Sequence, residues 1–324
     1  MTGKTVAKTD HEEAGEASAL GNRLTKNARH LERWARREGL EAWRVYDRDI
    51  PEFPYAIDRY GDSLHVQLFE GRRHLDDTVI AAHLAVIGTA LDVPPARLAF
   101  KLRRRQRGAS QYEKLDLPGW PFVVAERGLR FEVNLTAYLD TGLFLDHRDT
   151  RRRVGAEADD RRVLNLFAYT GSFTCYAAAG AAAHTVTVDM SQTYQDWARR
   201  NLTLNGIADP VRHRLIRADV TDWLVRAART RERFDLIVLD PPSFSNSKRM
   251  QASFDVQRDQ LALISRSMAL LAPAGVLYFS TNRQGFRLDP VVADRFDCRE
   301  ITATTVPLDF KRRVPHRCWR ITAG

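Results

Sequence analysis

The chain has 324 residues, 44% hydrophobic and 28% charged, a composition too apolar for a disordered protein and long enough to bury a sizeable core. Its 50 Lys and Arg against 41 Asp and Glu give a formal net charge of +9, which favours a polyanionic partner. No apolar run predicts a membrane-spanning helix, and the polar start lacks the apolar centre of a secretory signal. Three cysteines without metal-type spacing favour a reducing cytoplasm, and we predict no metal site and no membrane partner.

The N-terminal part of the chain is predicted to form a tail followed by a small α+β domain. Residues 1–20 are polar and predict a flexible tail. Apolar side chains then recur at helical spacing over 22–38, with Arg and Lys on the other face. Strand-like segments follow, and a helix predicted over 76–91 is stopped by a pair of prolines. With a further strand at LRFEVNL, these elements define a domain over 21–142.

The densest positive cluster of the chain lies in this first domain. Arg103, Arg104 and Arg105 follow a strand-like segment, with Tyr112 and Lys114 close behind. A run of charges is usually only a solvated face of the protein. Because an aromatic residue accompanies it in a basic chain, contact with RNA or DNA is an equally good interpretation, and both stay open.

Strand and helix signals alternate over 143–324. The strand-like segments are RVLNLFA, HTVTVD, RHRLIRAD, FDLIVLD, GVLYFST, CREITATTV and HRCWRITA. Alternation of this kind predicts a mostly parallel sheet with helices on both faces. The fold class is therefore α/β, with a Rossmann-like, doubly wound, seven-stranded sheet beside the smaller N-terminal α+β domain.

Polar residues follow four of these strands at the edge where a doubly wound sheet binds its ligand. The first strand is followed by a turn with the single glycine Gly171, which is not the three-glycine turn that cradles a pyrophosphate. Asp189 after the second strand can accept from ribose hydroxyls, and Asp219 after the third can accept from an exocyclic amine. Asp240 is followed by two prolines. Each aspartate alone could be a helix N-cap, but together they favour a pocket for an adenosine without a diphosphate, which S-adenosylmethionine (SAM) fits.

At this point the sequence resembles a known family. The segments that carry the likeness are NLFAYTGSF, TVDMSQTYQDWARRNLTLNG, DLIVLDPPSFSNSKRM, NLTAYLDTGLFLDHR and HRCWRIT. They resemble the RlmK-type 23S rRNA guanine-N7 methyltransferases, which are class I SAM-dependent enzymes. In many bacteria this module is the C-terminal half of a fused two-enzyme protein. The resemblance implies SAM as cofactor, 23S rRNA or a ribosomal assembly intermediate as partner, and an RNA-contacting role for the N-terminal domain.

The resemblance also implies roles for single residues. The implied cofactor-binding residues are Phe144, Asp146, Arg148, Phe167, Tyr169, Gly171, Ser172, Asp189, Met190, Asp219, Val220 and Asp240. Among them, Arg148 is expected to pair with the carboxylate of SAM, the alternative being a salt bridge between domains. The implied catalytic segment is Asp240, Pro241 and Pro242. The implied substrate-binding residues are Phe244, Ser245, Lys248, Arg249, Arg103, Arg104 and Arg105.

The residues also bear on which atom is methylated. Guanine N7 carries a free lone pair, so positioning suffices and Asp240 can favour the positive charge of the product. Methylation at C5 of cytosine needs a Cys thiolate, and none follows the fifth strand. Methylation of an exocyclic amine usually goes with an aromatic residue directly after the prolines, where this chain has Ser243. Phe244, one residue later, can stack on the base or fill the core. A non-catalytic RNA-binding factor and an NAD-linked oxidoreductase remain as alternatives from other classes.

Overall fold

The computed structural model describes residues 10–69, 75–103, 120–245 and 253–324, with side chains from residue 18 onward. The chain divides into two compact units, Met1–Gln106 and Arg107–Gly324. The boundary expected at 142/143 differs from this division, because a hairpin that precedes residue 142 packs on the second unit. None of the described helices combines the length and the apolar character needed to cross a membrane.

The first unit is a four-stranded sheet packed against two helices. Its elements are α1 (Asp10–Arg37), β1 (Ala42–Asp47), β2 (Tyr55–Tyr60), β3 (Ser63–Phe69), α2 (Asp77–Leu91) and β4 (Leu98–Arg103). The strands lie in the order β1-β2-β3-β4; the first three are antiparallel, and β4 runs parallel to β3 after the crossover through α2. Leu24 of α1, Ile87 of α2 and Leu64 of β3 are buried together in one hydrophobic core. The predicted small α+β domain is therefore present.

The helix α1 begins earlier than the sequence analysis expected. It starts at Asp10, so the flexible tail predicted up to residue 20 is wrong for residues 10–20. The physical reason is that Leu20 is completely buried and extends the apolar stripe of Leu24 and Leu31 by one turn. The predicted helix over 76–91 is confirmed, with the Asp76 side chain accepting from the backbone N–H of Val79.

The second unit contains a seven-stranded sheet in the order β14-β15-β13-β10-β7-β8-β9. The strands of this unit are β5 (Pro121–Glu126), β6 (Leu129–Asn134), β7 (Arg162–Leu166), β8 (His184–Asp189), β9 (His213–Arg217), β10 (Phe234–Leu239), β11 (Phe244–Ser245), β12 (Phe254–Asp255), β13 (Leu271–Thr281), β14 (Phe296–Glu300) and β15 (Arg317–Ala323). The helices are α3 (Arg148–Ala156), α4 (Ser172–Ala179), α5 (Gln192–Leu204), α6 (Val220–Ala227), α7 (Val256–Met268), α8 (Pro290–Arg295) and α9 (Thr302–Thr305). The five strands from β7 to β10 and β13 are parallel, whereas β15 is antiparallel to both β13 and β14. The predicted doubly wound sheet is confirmed.

The hairpin of β5 and β6 packs against α5 outside the main sheet. The side chain of Asn201 accepts from the backbone N–H of Glu132 at 2.9 Å, and Asn205 exchanges hydrogen bonds with the backbone of Arg130. The Trp197 indole N–H donates to the carbonyl of Glu132 at 3.0 Å. The sequence analysis predicted β6 but missed β5, and these side-chain contacts over long sequence separations explain why the hairpin belongs to the second unit.

Candidate active site at the switch point of the sheet

The candidate site lies where the strand order of the large sheet reverses. From the central β7 the chain proceeds to β8 and β9 on one side, and later to β10 and β13 on the other. In such sheets the loops after the two central strands diverge and leave a crevice at their carboxyl ends. The loops after β7, β8, β9 and β10 carry Gly171, Asp189, Asp219 and Asp240. The structure thus places these four predicted residues along one edge of the sheet.

The loop after β7 has an unusual backbone that opens space for a ligand. Phe167, Tyr169 and Gly171 all have positive φ angles, of 55°, 51° and 74°. A Cβ at Gly171 would come within 2.8 Å of the Cβ of Ala198, so only glycine fits. Helix α4 starts at Ser172, and no described side chain caps its first turn. The backbone N–H groups of this turn are therefore oriented for an acceptor group of a ligand.

Asp189 at the end of β8 is held by the backbone on both carboxylate oxygens. Its Oδ2 accepts from the N–H of Tyr169 at 2.9 Å, and its Oδ1 accepts from the N–H of Ser191 at 2.8 Å. Burial nevertheless raises the pKa of Asp189 to about 6, more than these hydrogen bonds lower it. Each oxygen keeps a second lone pair, so the fixed carboxylate can accept hydrogen bonds from a pair of hydroxyl groups. The neighbouring Met190 is partly buried.

Asp219 at the end of β9 is the N-cap of α6. Its Oδ1 accepts from the backbone N–H of Thr221 at 2.8 Å and of Asp222 at 3.2 Å. The cap interpretation of this aspartate is therefore correct, and all of these bonds end on one of its two oxygens. Val220 is buried in the core and packs against the sheet. A cavity of about 290 Å³ lies beside Asp219 and is also lined by Phe254 of β12 and Leu263 of α7.

Asp240 at the end of β10 is held by side chains instead. Its Oδ1 accepts from the Ser280 hydroxyl at 2.6 Å, and its Oδ2 lies 3.5 Å from Nε2 of His147. Burial lowers the pKa of His147, so the ring is neutral at neutral pH. Because Nε2 faces carboxylate oxygens, we assign the ring proton to Nε2, which leaves the buried Nδ1 without a hydrogen-bond partner among the described residues. The side chain of Asp240 keeps 24% of its surface exposed, towards the crevice.

A second histidine, His316, packs against the ring of His147. The rings of His147 and His316 are stacked, with centroids 4.2 Å apart. His316 is hydrogen bonded at both nitrogens, with Nδ1 2.9 Å from Asp146 Oδ2 and Nε2 3.2 Å from the Thr305 hydroxyl. The predicted cofactor-binding residue Asp146 therefore orients a histidine that packs on the ring next to Asp240. His147, His316 and Ser280 were not predicted, because only the fold brings His147 and Ser280 to Asp240 and stacks His316 on His147.

Arg148 does not lie where the sequence analysis expected it. The side chain is fully buried, and its Nη1 donates to both carboxylate oxygens of Asp309 at 2.7 and 2.8 Å. Its Nε lies 3.6 Å from Glu126. The pairing with the SAM carboxylate does not describe this contact. The contact with Glu126 joins the two domains as the sequence analysis bounded them, 21–142 and 143–324, whereas all three residues belong to the second unit of the structure. The buried guanidinium is neutralised by carboxylates of the protein itself.

Phe144 belongs to a loop that is tied to the first motif. The Tyr169 hydroxyl accepts from the backbone N–H of Gly142 at 3.0 Å, and the Thr170 hydroxyl donates to the Gly142 carbonyl at 2.6 Å. Gly142 has a φ of 97°, and a Cβ there would lie 2.3 Å from the Trp197 ring. Phe144 is 39% exposed and packs on the ring of Tyr169 at a centroid distance of 5.1 Å. This loop is therefore fixed beside the loop after β7, and the cofactor-binding role of Phe144 stays a prediction.

The predicted substrate-binding residues are only partly described. Phe244 and Ser245 form β11, which Ser243 separates from the two prolines, and Phe244 is 38% exposed, which excludes the core-filling interpretation. In the first unit, Arg103 is partly buried, and its Nε donates to Gln67 at 2.7 Å. Four of the predicted residues, Arg104, Arg105, Lys248 and Arg249, lie outside the described residues.

Comparison with known proteins identifies the class of this site. The family model of S-adenosylmethionine-dependent methyltransferases matches residues 58–316. The chain is 50% identical over 306 residues to the ribosomal RNA large subunit methyltransferase K of Neisseria meningitidis, covering 93% of this chain and 86% of the relative. It is 49% identical over 315 residues to the methyltransferase K/L of Magnetococcus marinus, covering 95% of this chain but only 43% of that relative. The chain thus spans less than half of this K/L protein.

Solved structures agree with the fold. The structure of SMU.776, which is complexed with SAH, superimposes on the chain with a TM-score of 0.75 at 23% identity. This likeness covers 98% of the present chain and 83% of that protein. Matches of this length at both the sequence and fold levels leave the NAD-linked and non-catalytic alternatives without support. The chain belongs to the family of S-adenosylmethionine-dependent methyltransferases.

Proposed function

We propose that the protein methylates N7 of a guanine in 23S rRNA, alone or in a ribosomal assembly intermediate. The relatives named large subunit methyltransferase K and K/L support rRNA as the substrate. The observation that supports the choice of atom is Asp240, a carboxylate that Ser280 and the ring of His147 hold at the edge of the sheet, where it would stabilise a cationic base. We expect this activity in the cytoplasm, where rRNA and its assembly intermediates occur.

The chain's own residues fit SAM at the edge of the sheet. Asp189 would accept from the two ribose hydroxyls, since its oxygens are fixed by the backbone N–H groups of Tyr169 and Ser191. The uncapped first turn of α4 would donate to the carboxylate of the methionine part. Asp219 and the cavity beside it would hold the adenine. Bound SAM supplies an electrophilic methyl group on a positively charged sulfur.

On the acceptor side, the protein would position a guanine and favour the charge that develops on it. Guanine N7 has a free in-plane lone pair, so alignment with the methyl group is the main requirement. Methylation makes the base cationic, and Asp240 would stabilise this charge because Ser280 and His147 hold its carboxylate in place. The exposed ring of Phe244 would stack on the base once the base has left its own stack.

The cysteines argue against methylation at C5 of cytosine. That reaction needs a thiolate, whereas burial raises the pKa of Cys175 to about 12 and also raises the pKa of Cys298 and Cys318. The residues directly after β13 are Asn282 and Arg283, which are engaged by Ser243 and Asp255. No thiol is therefore activated in this chain, and none follows the fifth parallel strand.

The experiment that tests the proposal is nucleoside mass spectrometry. Unmodified 23S rRNA transcript is incubated with the full chain and isotopically labelled SAM, and the RNA is digested to nucleosides. Label in 7-methylguanosine is the expected result. Label in N2-methylguanosine or 5-methylcytidine would contradict the proposed target atom while keeping the cofactor. The double variant Asp240→Asn, His147→Gln serves as the matched control, and we expect the rate of labelling to fall by about a hundredfold or more.

A further inference from the structure

An exposed cationic turn lies near the end of the second unit. Lys311, Arg312 and Arg313 are consecutive and exposed, and Val314 after them is 59% exposed. Backbone hydrogen bonds close the turn, from the N–H of Lys311 to the carbonyl of Leu308 and from the N–H of Arg313 to that of Phe310. We call residues 311–314 the basic turn. Neither the sequence analysis nor the proposed function assigns it a role.

Both flanks of the basic turn are fixed by buried contacts. On its N-terminal side, the fully buried carboxylate of Asp309 accepts two hydrogen bonds from Arg148. On its C-terminal side, the buried ring of His316 is hydrogen bonded to Asp146 and Thr305. The turn is therefore held at both ends, two residues after one anchor and two residues before the other.

The partners of these anchors are the direct neighbours of the candidate site. Asp146 and Arg148 flank His147 in sequence, and the His147 ring lies 3.5 Å from Asp240. Because one residue spans at most about 3.6 Å, the Cα of Arg313 lies within roughly 11 Å of the Cα of His316. His316 itself stacks on His147. The basic turn also precedes β15, whose first residue Arg317 pairs with Thr281 at the carboxyl end of β13, so the turn lies at the same edge of the sheet as Asp240.

The anchoring distinguishes this turn from an ordinary solvated charge run. Burying an arginine and an aspartate together costs desolvation energy. A loop whose charges are only solvated does not need a buried ion pair such as Arg148–Asp309 to hold it in place. Asp309, which precedes the turn by two residues, is already neutralised by Arg148. Among the residues that the structure describes, the side chains of Lys311 and Arg313 form no ion pair. Two cationic side chains are therefore presented to the solvent at a fixed place beside the site.

We propose that the basic turn binds the phosphate backbone of the RNA whose base enters the site. This inference rests on the proposed function, and it adds a surface that would orient the strand. Contacts to phosphates set the position of a nucleic acid on a protein without reading its sequence. Lys311 and Arg313 would fix the nucleotides next to the target, so that the extruded base meets Asp240 and Phe244.

The test measures how RNA binding by the full chain depends on salt. The variant Lys311→Gln, Arg313→Gln is compared with the wild type on unmodified 23S rRNA transcript over a series of KCl concentrations. Two lost phosphate contacts should reduce the slope of log K against log salt by roughly 1.4 to 1.8. In turnover, KM for RNA should rise while kcat at saturating RNA and the Kd for SAM stay unchanged.

Two control variants make the result specific. Arg229→Gln, Arg231→Gln removes the same charge from exposed positions that precede the amino end of β10, at the opposite edge of the sheet, and should keep the wild-type slope. Lys311→Arg, Arg313→Lys should also keep it, because the charges remain. An unchanged slope in the first variant, or an equal loss in the opposite-edge control, would overturn the inference. Binding is measured without turnover, so a failure of the proposed N7 chemistry is seen separately by nucleoside analysis.

Discussion

Asp189 and Asp240 lie at the ends of two strands of the same sheet, yet the protein holds them in different ways. Asp189 accepts from two backbone N–H groups, one of them only two residues away in sequence. Asp240 depends on the side chains of Ser280 and His147, which come from β13 and from the turn before α3. We call the surroundings of Asp189 the cofactor side of the crevice and those of Asp240 the transfer side. Backbone groups hold the carboxylate on the cofactor side, and side chains from distant segments hold the carboxylate on the transfer side. Substitutions of neighbouring side chains should therefore disturb the position of the Asp240 carboxylate more than that of the Asp189 carboxylate.

The largest effect should follow from breaking the ion pair beneath the transfer side. Asp309→Ala leaves the fully buried Arg148 without its main partner, which should reduce the free energy of unfolding by about 3–5 kcal/mol. Chemical denaturation measures this loss. The double variant Arg148→Met, Asp309→Leu removes both charges and should recover most of the stability. If Asp309→Ala unfolds like the wild type, the pair does not hold this region.

Asp240→Asn should have the next largest effect and act on chemistry alone. The amide keeps the shape but loses the charge that stabilises the cationic product, so kcat/KM should fall by about 10²–10³-fold. Cofactor affinity and melting temperature should change little, since Ser280 can still donate to the remaining oxygen. Stopped turnover assays and calorimetry with SAM measure both quantities. Wild-type turnover in this variant would remove Asp240 from the mechanism.

His147 should show a smaller effect of the same kind. His147→Ala removes the ring whose Nε2 lies 3.5 Å from Asp240 and should lower kcat by up to about tenfold, the effect of losing one weak polar contact. Because the ring acts through Asp240, the Kd for SAM should stay the same, and the loss should be absent in an Asp240→Asn background. Additive losses in the double variant would instead show that the two residues act independently.

The smallest effect concerns the cofactor side and appears as a pH dependence. Burial raises the pKa of Asp189 to about 6, so the carboxylate gains a proton as the pH falls through that value. Below this pH the protonated carboxyl accepts hydrogen bonds less well, so the affinity for SAM should fall by up to about tenfold per pH unit. The sign for stability is opposite: because the unfolded pKa is about 3.9, the protein without cofactor loses stability as the pH rises from about 4 to 6. Calorimetry on Asp189→Asn, which should lack both trends, is the control.

The part of the site that the sequence predicted is the part that local chain geometry builds. The alternation of strands and helices predicted the sheet, and residues that follow parallel strands necessarily meet at one edge, so Asp189, Asp219 and Asp240 were found. Ser280 and His316 were not predicted, because Ser280 reaches Asp240 only through the pairing of β13 with β10, and His316 precedes β15, which pairs with β13. Arg148 was misassigned for a related reason: its partner Asp309 is 161 residues away.

The same distinction holds for the fold. The helix α2 was predicted almost to the residue because Asp76 and the following prolines mark its two ends in the sequence. The start of α1 was predicted too late, since Leu20 stands in a polar segment and is buried only within the hydrophobic core of the folded first unit. The hairpin of β5 and β6 was assigned to the wrong unit because amide side chains of α5 bind its backbone.

Nδ1 of His147, which has no hydrogen-bond partner in the part of the chain that the structure describes, has a spectroscopic consequence. A neutral ring with its proton on Nε2 gives Nδ1 the ¹⁵N chemical shift of an unprotonated nitrogen, and burial without a partner keeps water from averaging that signal. Nε2 is the ring nitrogen that faces Asp240, so the ¹⁵N shift of Nδ1 responds to the charge near this carboxylate without Nδ1 itself contacting a ligand. Isotope-labelled histidine would therefore provide a resident probe of the transfer side. A guanine made cationic beside Asp240 should shift this one resonance while the rest of the spectrum stays in place.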